Sequence, residues 1–498
     1  MRSTHDHHAS TSPARPSVAE LTVGAALACT MAWVSMSFKS MGLFARYGHG
    51  ESLLDTTYLV SIIAVSLTLL AASAFDRRTE ALLEHRATRF VLPLGVAAST
   101  LLMPLAGIPG IAGASCGYAA GALSGMFSGL FLFEFGMAFS LMTTRSIVVG
   151  AATGSILSTL LFALFLLFQP FEACVFAASM PLIAGMLLAS GMKGVQLVDQ
   201  EPPPRCVQEP SQDPQEHDEW RRLVTKLSLA SFLVGFANEA TRTLYVQMGV
   251  ANSSGASYAF IQAIAAFVAT SGIVAIALAL LGSKTEHMAK NAYHALVVLL
   301  MAGTLLLPLP LVYPHVSVHI PYAVNAASYT CFGMFMWIIV AGVCGRYRHA
   351  KVRTFGIVRA AWALGPLLGL LLGRFVLHRA GLSVETAFPV MLLAAAVLLL
   401  ASNAVFTESD LVKAMDIIPL ARKRRFRAKC MRVIERYGLS EREGEIMIML
   451  AKGRNLPYVQ EHLYLSRSTV STHRQHIYQK LEIHSQQELM NLVERAEE

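Results

Sequence analysis

The chain is poor in charge. Only 14% of its 498 residues are Asp, Glu, Lys or Arg, while 54% are hydrophobic. A soluble domain carries about 25% charge, so that balance excludes a wholly soluble globular protein. A membrane protein of many spans with a soluble part is expected. Cysteine is also sparse. The seven cysteines (Cys29, Cys116, Cys174, Cys206, Cys331, Cys344 and Cys430) are scattered without a C-x-x-C pair. That spacing argues against a disulfide framework or a zinc site and reads as small apolar filling. The chain shows no nucleotide-binding glycine loop, no metal-ligand cluster and no paired nucleophile and base. No catalytic residue, metal or other cofactor is expected, and the chain does not read as an enzyme. Residues 1–16 are polar, with His5, His7 and His8, and lack a cleavable-signal pattern. The first apolar segment is expected to remain as a span.

What is present is a series of apolar segments of about twenty residues, the length of a spanning helix. They fall near 20–38, 57–75, 90–107, 112–140, 147–168, 171–192, 223–249, 256–282, 291–313, 317–345, 354–377 and 386–406. Twelve spans are expected. Alternate connections carry the basic residues: Arg77, Arg78, Arg86 and Arg89, then Arg145, Lys193, Arg221 and Arg222, Lys284 and Lys290, and Arg346, Arg348, Lys351 and Arg353. The intervening connections, near 107–110, 169–172, 252–255 and 314–320, have no Lys or Arg. This is the positive-inside pattern, and it places both termini in the cytoplasm. Lys39, Arg46, Arg374 and Arg379 fall on the outer side as exceptions.

The expected organisation is a polar tail (1–16), six spans (17–192), an acidic Pro-rich linker (193–222), six more spans (223–406), a basic juxtamembrane linker (407–432) and a soluble domain (433–498). Glu201–Trp220 reads as disordered. The basic run Arg422–Lys429 reads as an anchor on anionic lipid. From Ala421 onward 15 Lys and Arg face 10 Asp and Glu, a net +5 of the chain's +8. That excess suits nucleic acid or anionic lipid as a partner.

The soluble domain reads as four short helices. Ser440 with Glu443 is a capping box that opens a helix carrying Ile446, Met447 and Leu450, with Gly453 as its left-handed end. A second helix runs from about Leu456 to Leu463 with Pro457 in its first turn. Ser466 caps a third helix that reaches about Leu481 and buries Val470, Ile477 and Leu481. Ser485 with Glu488 opens a fourth. The tight turn between the second and third helices makes this a helix-turn-helix arrangement. Arg467, Ser468, Ser471, Thr472, Arg474, Gln475 and Lys480 lie opposite the core of the third helix. Gln can pair bidentately with adenine, and the Thr methyl can touch that of thymine. Arg467, Ser468 and Thr469 sit at the helix start, where exposed amides favour phosphate. A plain solvated face is the alternative reading of such residues.

The stretch resembles the LuxR-type (FixJ/NarL-type) DNA-binding domain of bacterial transcription factors. The resemblance rests on Leu439–Glu443, Ala451–Gly453, Leu465–Ser466, Thr469–Val470, His473, Ile477, Lys480–Leu481, Ser485 and Glu488–Leu489. It implies base contacts from Ser471, Thr472 and Gln475, and phosphate contacts from Thr469 and Lys480. It also implies double-stranded DNA as partner and homodimer formation through the last helix. Two departures stand out: Ser471 where the family usually has lysine, and Asn455-Leu456-Pro457-Tyr458 where it has Asn-Lys-Glu-Ile. Losing that lysine removes one charged contact.

Two sets of six spans joined by a cytoplasmic loop resemble the major facilitator superfamily of transporters. Phe75-Asp76-Arg77-Arg78 is similar to that family's cytoplasmic loop motif without its glycines. The fold class expected is therefore all-α: a 6+6 membrane helix bundle followed by a soluble helix-turn-helix domain. In the superfamily the first, fourth, seventh and tenth spans line a central cavity. The resemblance thus carries Glu134 of the fourth span and Asn238, Glu239 and Arg242 of the seventh to a ligand site, since ionisable groups within spans are costly and usually functional. Glu239 and Arg242, three apart, could instead pair with each other. Trp33, Tyr329 and Trp337 could wall an apolar ligand or only pack. Arg359 reads as snorkelling to the inner interface. The function expected is a one-component transcriptional regulator in a bacterial inner membrane, sensing an unidentified small molecule. The alternative is a transporter whose tail binds DNA or protein for regulation.

Overall fold

The computed structural model describes residues 18–40, 42–44, 50–142, 144–198, 214–245, 247–248, 264–275, 285–313, 315–347, 350–407, 409–410, 429–434, 436–451, 453–454, 456–463 and 466–495. Among the described residues there is no strand. The chain divides into two units, Pro16–Ile417 and Ile418–Glu498, and each has its own apolar core.

The first unit begins with α1 (Val18–Phe38), α2 (Gly50–Ala74), α3 (Asp76–Glu84), α4 (Thr88–Leu102), α5 (Ile111–Leu141), α6 (Thr144–Phe165) and α7 (Pro170–Val198). Its second half holds α8 (Pro214–Tyr245), α9 (Ile264–Ala275), α10 (Thr285–Leu305), α11 (Leu309–Val312), α12 (His319–Arg346), α13 (Lys351–Ala380) and α14 (Val384–Leu400). Ten of these segments are long and apolar enough to cross a membrane. The seventh and eighth expected spans are the two that fall short of that measure. Helix α8 is long enough but carries polar first turns and Asn238, Glu239 and Arg242. Only residues 264–275 of the eighth are described.

The surface of this unit is apolar. Leu67, Phe90, Leu160, Phe267 and Val298 are each more than 60% exposed, the arrangement expected where the solvent is hydrocarbon. Polar side chains turn inward and back-bond to their own helix. Ser66 donates to the Ile62 carbonyl at 2.7 Å and Thr304 to that of Leu300 at 3.0 Å. Buried aromatic polar atoms find partners across helices: Trp33 Nε1 donates to Thr100 Oγ1 at 2.8 Å and Tyr245 Oη to the Gly303 carbonyl at 2.8 Å.

Without a hydrophobic drive between helices in lipid, close backbone approach must hold the bundle together. Helix α5 supplies it with glycines at every fourth position: Gly113, Gly117, Gly121, Gly125 and Gly129. Gly121, Gly125 and Gly129 lie along α2, while Gly113 and Gly117 lie against Ala106 and Ile108 before α5. A Cβ on Gly125 would stand 2.3 Å from the Ser61 carbonyl oxygen and 2.7 Å from Ala64 Cβ. Helix α13 repeats the device against α8, where a Cβ on Gly365 would stand 2.2 Å from the Phe232 carbonyl oxygen. Helix α13 also packs on α2 and so joins the two halves. One ion pair marks that join, with Arg374 Nη2 2.9 Å from Asp55 Oδ2, and a second ties α13 to α3, with Lys351 Nζ 2.7 Å from Glu80 Oε1.

The expected linker 193–222 is shorter than its composition suggests. Helix α7 continues to Val198 and α8 starts at Pro214. Trp220 explains the second extension. It is 5% exposed, its Nε1 donates to Thr354 Oγ1 at 2.8 Å, and Arg353 lies over its ring at 5.8 Å. One buried indole thus draws an acidic stretch into helix. Residues 199–213, the basic run 422–428 and the tail 1–17 lie outside the described residues.

Candidate functional site

The second unit contains α15 (Glu441–Ala451), α16 (Leu456–Leu463), α17 (Arg467–Lys480) and α18 (Gln486–Arg495). Ile446, Met447, Leu450, Val459, Val470, Ile477 and Leu489, each 1% exposed or less, form its core. The signals read from sequence act where expected. The Ser440 amide donates to Glu443 Oε2 at 2.8 Å, and the Glu443 amide to Ser440 Oγ at 3.4 Å, closing the capping box. Gly453 has φ +78°, and the Arg454 amide reaches back to the Met449 carbonyl. Ser466 Oγ accepts from the Thr469 amide at 3.2 Å. At α18 the Glu488 amide donates to Ser485 Oγ at 3.2 Å as expected, while the Glu488 carboxylate accepts from the His484 amide at 2.9 Å and from Ser485 Oγ at 3.1 Å. Those last two hydrogen bonds, His484 first, hold its carboxyl below the usual range.

Helix α17 presents the residues read as DNA-contacting. Val470 and Ile477 are buried, whereas Arg467, Ser468, Thr472, Gln475 and Lys480 are exposed and Thr469, Ser471 and Arg474 half-buried. The first turn is pre-bonded, with Ser466 Oγ 2.8 Å from both Ser468 Oγ and Thr469 Oγ1. Thr472 Oγ1 donates to the Ser468 carbonyl at 3.0 Å, and Arg474 lies 5.9 Å from the Tyr478 ring centre. Lys480 is engaged inside the domain. Its Nζ donates to Glu443 Oε2 at 2.7 Å and to the Gly438 carbonyl at 3.4 Å, tying the end of α17 to the start of α15. Burial acts to raise the Glu443 carboxyl, but hydrogen bonds from Lys480 and Ser440 outweigh it and hold it at about 2 against an ordinary 4.5.

Two further clamps carried no local sequence signal. Arg442 Nη2 donates to the Leu463 carbonyl at 3.1 Å, fixing the end of α16. Gln486 Nε2 donates to the carbonyls of Leu450 and Arg454 at 2.8 and 2.9 Å, fixing the start of α18. Helix α17 ends unusually: Glu482 has φ +54°, with the Ile483 amide reaching the Tyr478 carbonyl at 3.0 Å. Glycine is the common residue there. Glu482→Gly is expected to stabilise the isolated domain by about 0.5–1 kcal/mol, the αL cost less the extra chain entropy. Urea denaturation of residues 429–498 checks this.

In the membrane unit, Glu239 and Arg242 are partners. Arg242 Nη2 lies 2.6 Å from Glu239 Oε1, and its guanidinium stands over the Tyr58 ring at 5.6 Å. Asn238 is buried with its Oδ1 unpartnered, and so is Glu134 with its Oε1. None of these four lines the larger cavity, which measures about 230 Å³. Its walls come from α1, α5, α6, α9, α12 and α13. Tyr329 and Trp337 line it as the sequence suggested, and Trp33 borders a second cavity of about 160 Å³. Arg359 does not snorkel. It lines the cavity with its guanidinium 4.4 Å from the centre of the Trp337 ring, an aromatic face that attracts the cation. Lys39, at the end of α1, lines the same cavity.

Comparison with known proteins agrees with this division. Residues 438–493 match the family model described as bacterial regulatory proteins, luxR family. The response regulator UvrY of Escherichia coli (strain K12) is 44% identical over 57 residues, 11% of this chain and 26% of that protein. The uncharacterized response regulatory protein YgeK of the same strain is 40% identical over 65 residues, 12% of this chain and 44% of that protein. The chain thus spans less than half the length of either relative. The membrane unit is similar in fold to a bacterial homologue of the iron transporter ferroportin in its outward-facing state with soaked iron. That likeness has a TM-score of 0.55 and 10% identity, and covers 80% of this chain and 99% of that one. The same homologue without the soaked iron gives a TM-score of 0.52 at 12% identity over 80% of this chain and 98% of that one. The chain therefore joins a multi-pass helical membrane bundle, similar in fold to that ferroportin homologue, to a C-terminal helix-turn-helix domain that matches the luxR family.

Proposed function

We propose that the protein is a membrane-embedded one-component transcriptional regulator. The α15–α18 domain binds double-stranded DNA through α17, and the membrane unit binds a small molecule that changes the pairing or freedom of that domain. The observation that carries the reading is α17 itself. Its exposed face holds Arg467, Ser468, Thr472 and Gln475, with Ser471 beside them, on a domain whose core and caps are closed. The luxR-family match at residues 438–493 supports it. The basic connections support an inner-membrane protein with both termini in the cytoplasm, where the domain meets DNA as a homodimer through α18. A ligand switches such a protein only if it prefers one state of the membrane unit.

Gel shifts test the DNA step, using residues 421–498 and DNA upstream of the protein's own gene and its neighbours. Sequence-selective binding is expected. Gln475→Ala is expected to weaken it about 5- to 100-fold, the range for one bidentate base contact. Thr472→Ala and Ser471→Ala are expected to relax selectivity with smaller losses. Binding that is sequence-blind, even for an artificially dimerised domain, would sink the reading. The fold likeness to a transporter favours the second reading, a working transporter with a regulatory tail; solute accumulation in vesicles would establish it.

A further inference from the structure

The larger cavity of the membrane unit has an unbalanced chemistry. Among its described lining residues there is no Asp or Glu, yet Lys39 and Arg359 both border it. The nearby Glu239 carboxylate is already engaged, its Oε1 bonded to Arg242 at 2.6–2.7 Å. Among the described residues, the Arg359 Nε is buried without a hydrogen-bond partner, and its guanidinium lies over the Trp337 face. A cation inside a bilayer-spanning bundle is costly until an anion meets it. Part of the remaining wall is flat and apolar: Tyr329 and Trp362 stack at 4.8 Å with 11° between their planes, and Phe162 and Met334 lie on the same cavity, while Ser155, Ser158, Thr159 and Thr270 add uncharged hydroxyls. The volume of about 230 Å³ is below the ~300–1,000 Å³ of drug-sized sites, so the occupant is a single ring or a short chain.

We propose that this cavity is the ligand site of the membrane unit and that it takes a small organic anion. A carboxylate lies against Arg359, and a flat or aliphatic body lies against the Tyr329–Trp362 pair. Lys39 adds a second positive field, which discriminates against cations. The site differs from the Glu134, Asn238, Glu239 and Arg242 set, whose charged pair is already satisfied. The inference rests on the ligand-binding half of the proposed function and names its chemical class.

The test uses the full-length protein in detergent, read by tryptophan fluorescence and thermal shift, since two of its four tryptophans line the cavity. The probes are benzoate, 4-hydroxybenzoate and hexanoate, against the near-isosteric neutral benzamide and cationic benzamidine. At least one carboxylate is expected to saturate the response, with benzamide and benzamidine about ten-fold weaker or worse. Arg359→Gln is expected to weaken the carboxylate about ten-fold or more, and Arg359→Lys to recover part of it. Lys39→Gln, at the open end of α1, is expected to weaken it by a smaller factor and serves if Arg359→Gln does not fold. Benzamidine binding as well as benzoate would overturn the proposal. So would carboxylate binding that both Gln variants leave unchanged, or no carboxylate response up to about 10 mM, beyond any useful affinity. A promoter reporter separates this from the regulatory reading. A carboxylate that binds without altering promoter occupancy leaves the cavity chemistry standing and sinks the sensor. Cation-driven promoter changes do the reverse.

Discussion

Gly125→Leu is expected to cost the membrane unit about 3 kcal/mol or more, the upper end for overpacking a close contact. The neighbours of a Cβ at that position are backbone and a methyl: the Ser61 carbonyl oxygen at 2.3 Å, Ala64 Cβ at 2.7 Å and the Val65 amide nitrogen at 2.8 Å. None is the far end of a flexible chain, so α2 and α5 must separate. Separation there propagates, because the backbones are as close one turn earlier, where a Cβ on Gly121 would stand 2.8 Å from the Thr57 carbonyl oxygen. Thermal unfolding of the full-length protein in detergent should fall by about 5–10 °C, or no folded protein should be recovered. Ala122→Leu is the control: Ala122 is exposed on the same helix and its variant should stay within about 0.5 kcal/mol. A Gly125→Leu protein with unchanged melting would show that the ladder is not what holds α5 to α2.

The second large effect lies in the soluble domain. Glu443→Ala removes both an N-terminal cap and the partner of Lys480, and a loss of about 2 kcal/mol is expected, roughly 1 from the cap and 1 from the half-exposed ion pair. The effect has a pH signature. A carboxyl held at about 2 in the fold and at 4.5 when unfolded contributes stability that is fully present above about 4.5. That contribution is lost as pH falls from there through about 2. Urea midpoints of residues 429–498 should therefore drop between those values in the native sequence and drop less in Glu443→Ala. In a Lys480→Met background the cost of Glu443→Ala should shrink, since the pair is already broken. Equal costs in both backgrounds would mean the pair contributes nothing.

Local chemistry made the soluble domain legible. Ser440, Glu443, Gly453 and Ser466 act within three or four residues of themselves, so sequence spacing suffices to read them. Arg442 to Leu463 and Gln486 to Leu450 span 21 and 36 residues, and no local pattern announces such clamps. The spans were legible from hydropathy. The four-residue glycine repeat of α5 drew no expectation from the sequence; the fold shows it as a close-packing face. The charged groups of the membrane unit were the harder case. Glu239 and Arg242 attract notice as charges in a span, yet they neutralise each other at 2.6 Å. Arg359, near a helix end, invites the snorkelling reading and is instead turned inward over Trp337. Depth along a helix can be read from sequence; the direction of a long side chain depends on which partner is nearer.

The join between α2 and α13 gives the membrane unit a spine. One ion pair fastens it, Asp55 with Arg374, a second ties α13 to the adjoining α3, Glu80 with Lys351, and α2 and α13 pack along their length. Across the cavity α6 meets α9 through hydroxyls, with Thr159 Oγ1 2.7 Å from Thr270 Oγ1 and Thr270 Oγ1 donating to the Ser155 carbonyl at 3.3 Å. Parting two hydroxyls that water can replace costs far less than parting closely packed helices. If the halves move, the α2–α13 edge is the binding of the book and the α6–α9 edge is where its pages open, on the side where Ser155, Thr159 and Thr270 already face the cavity.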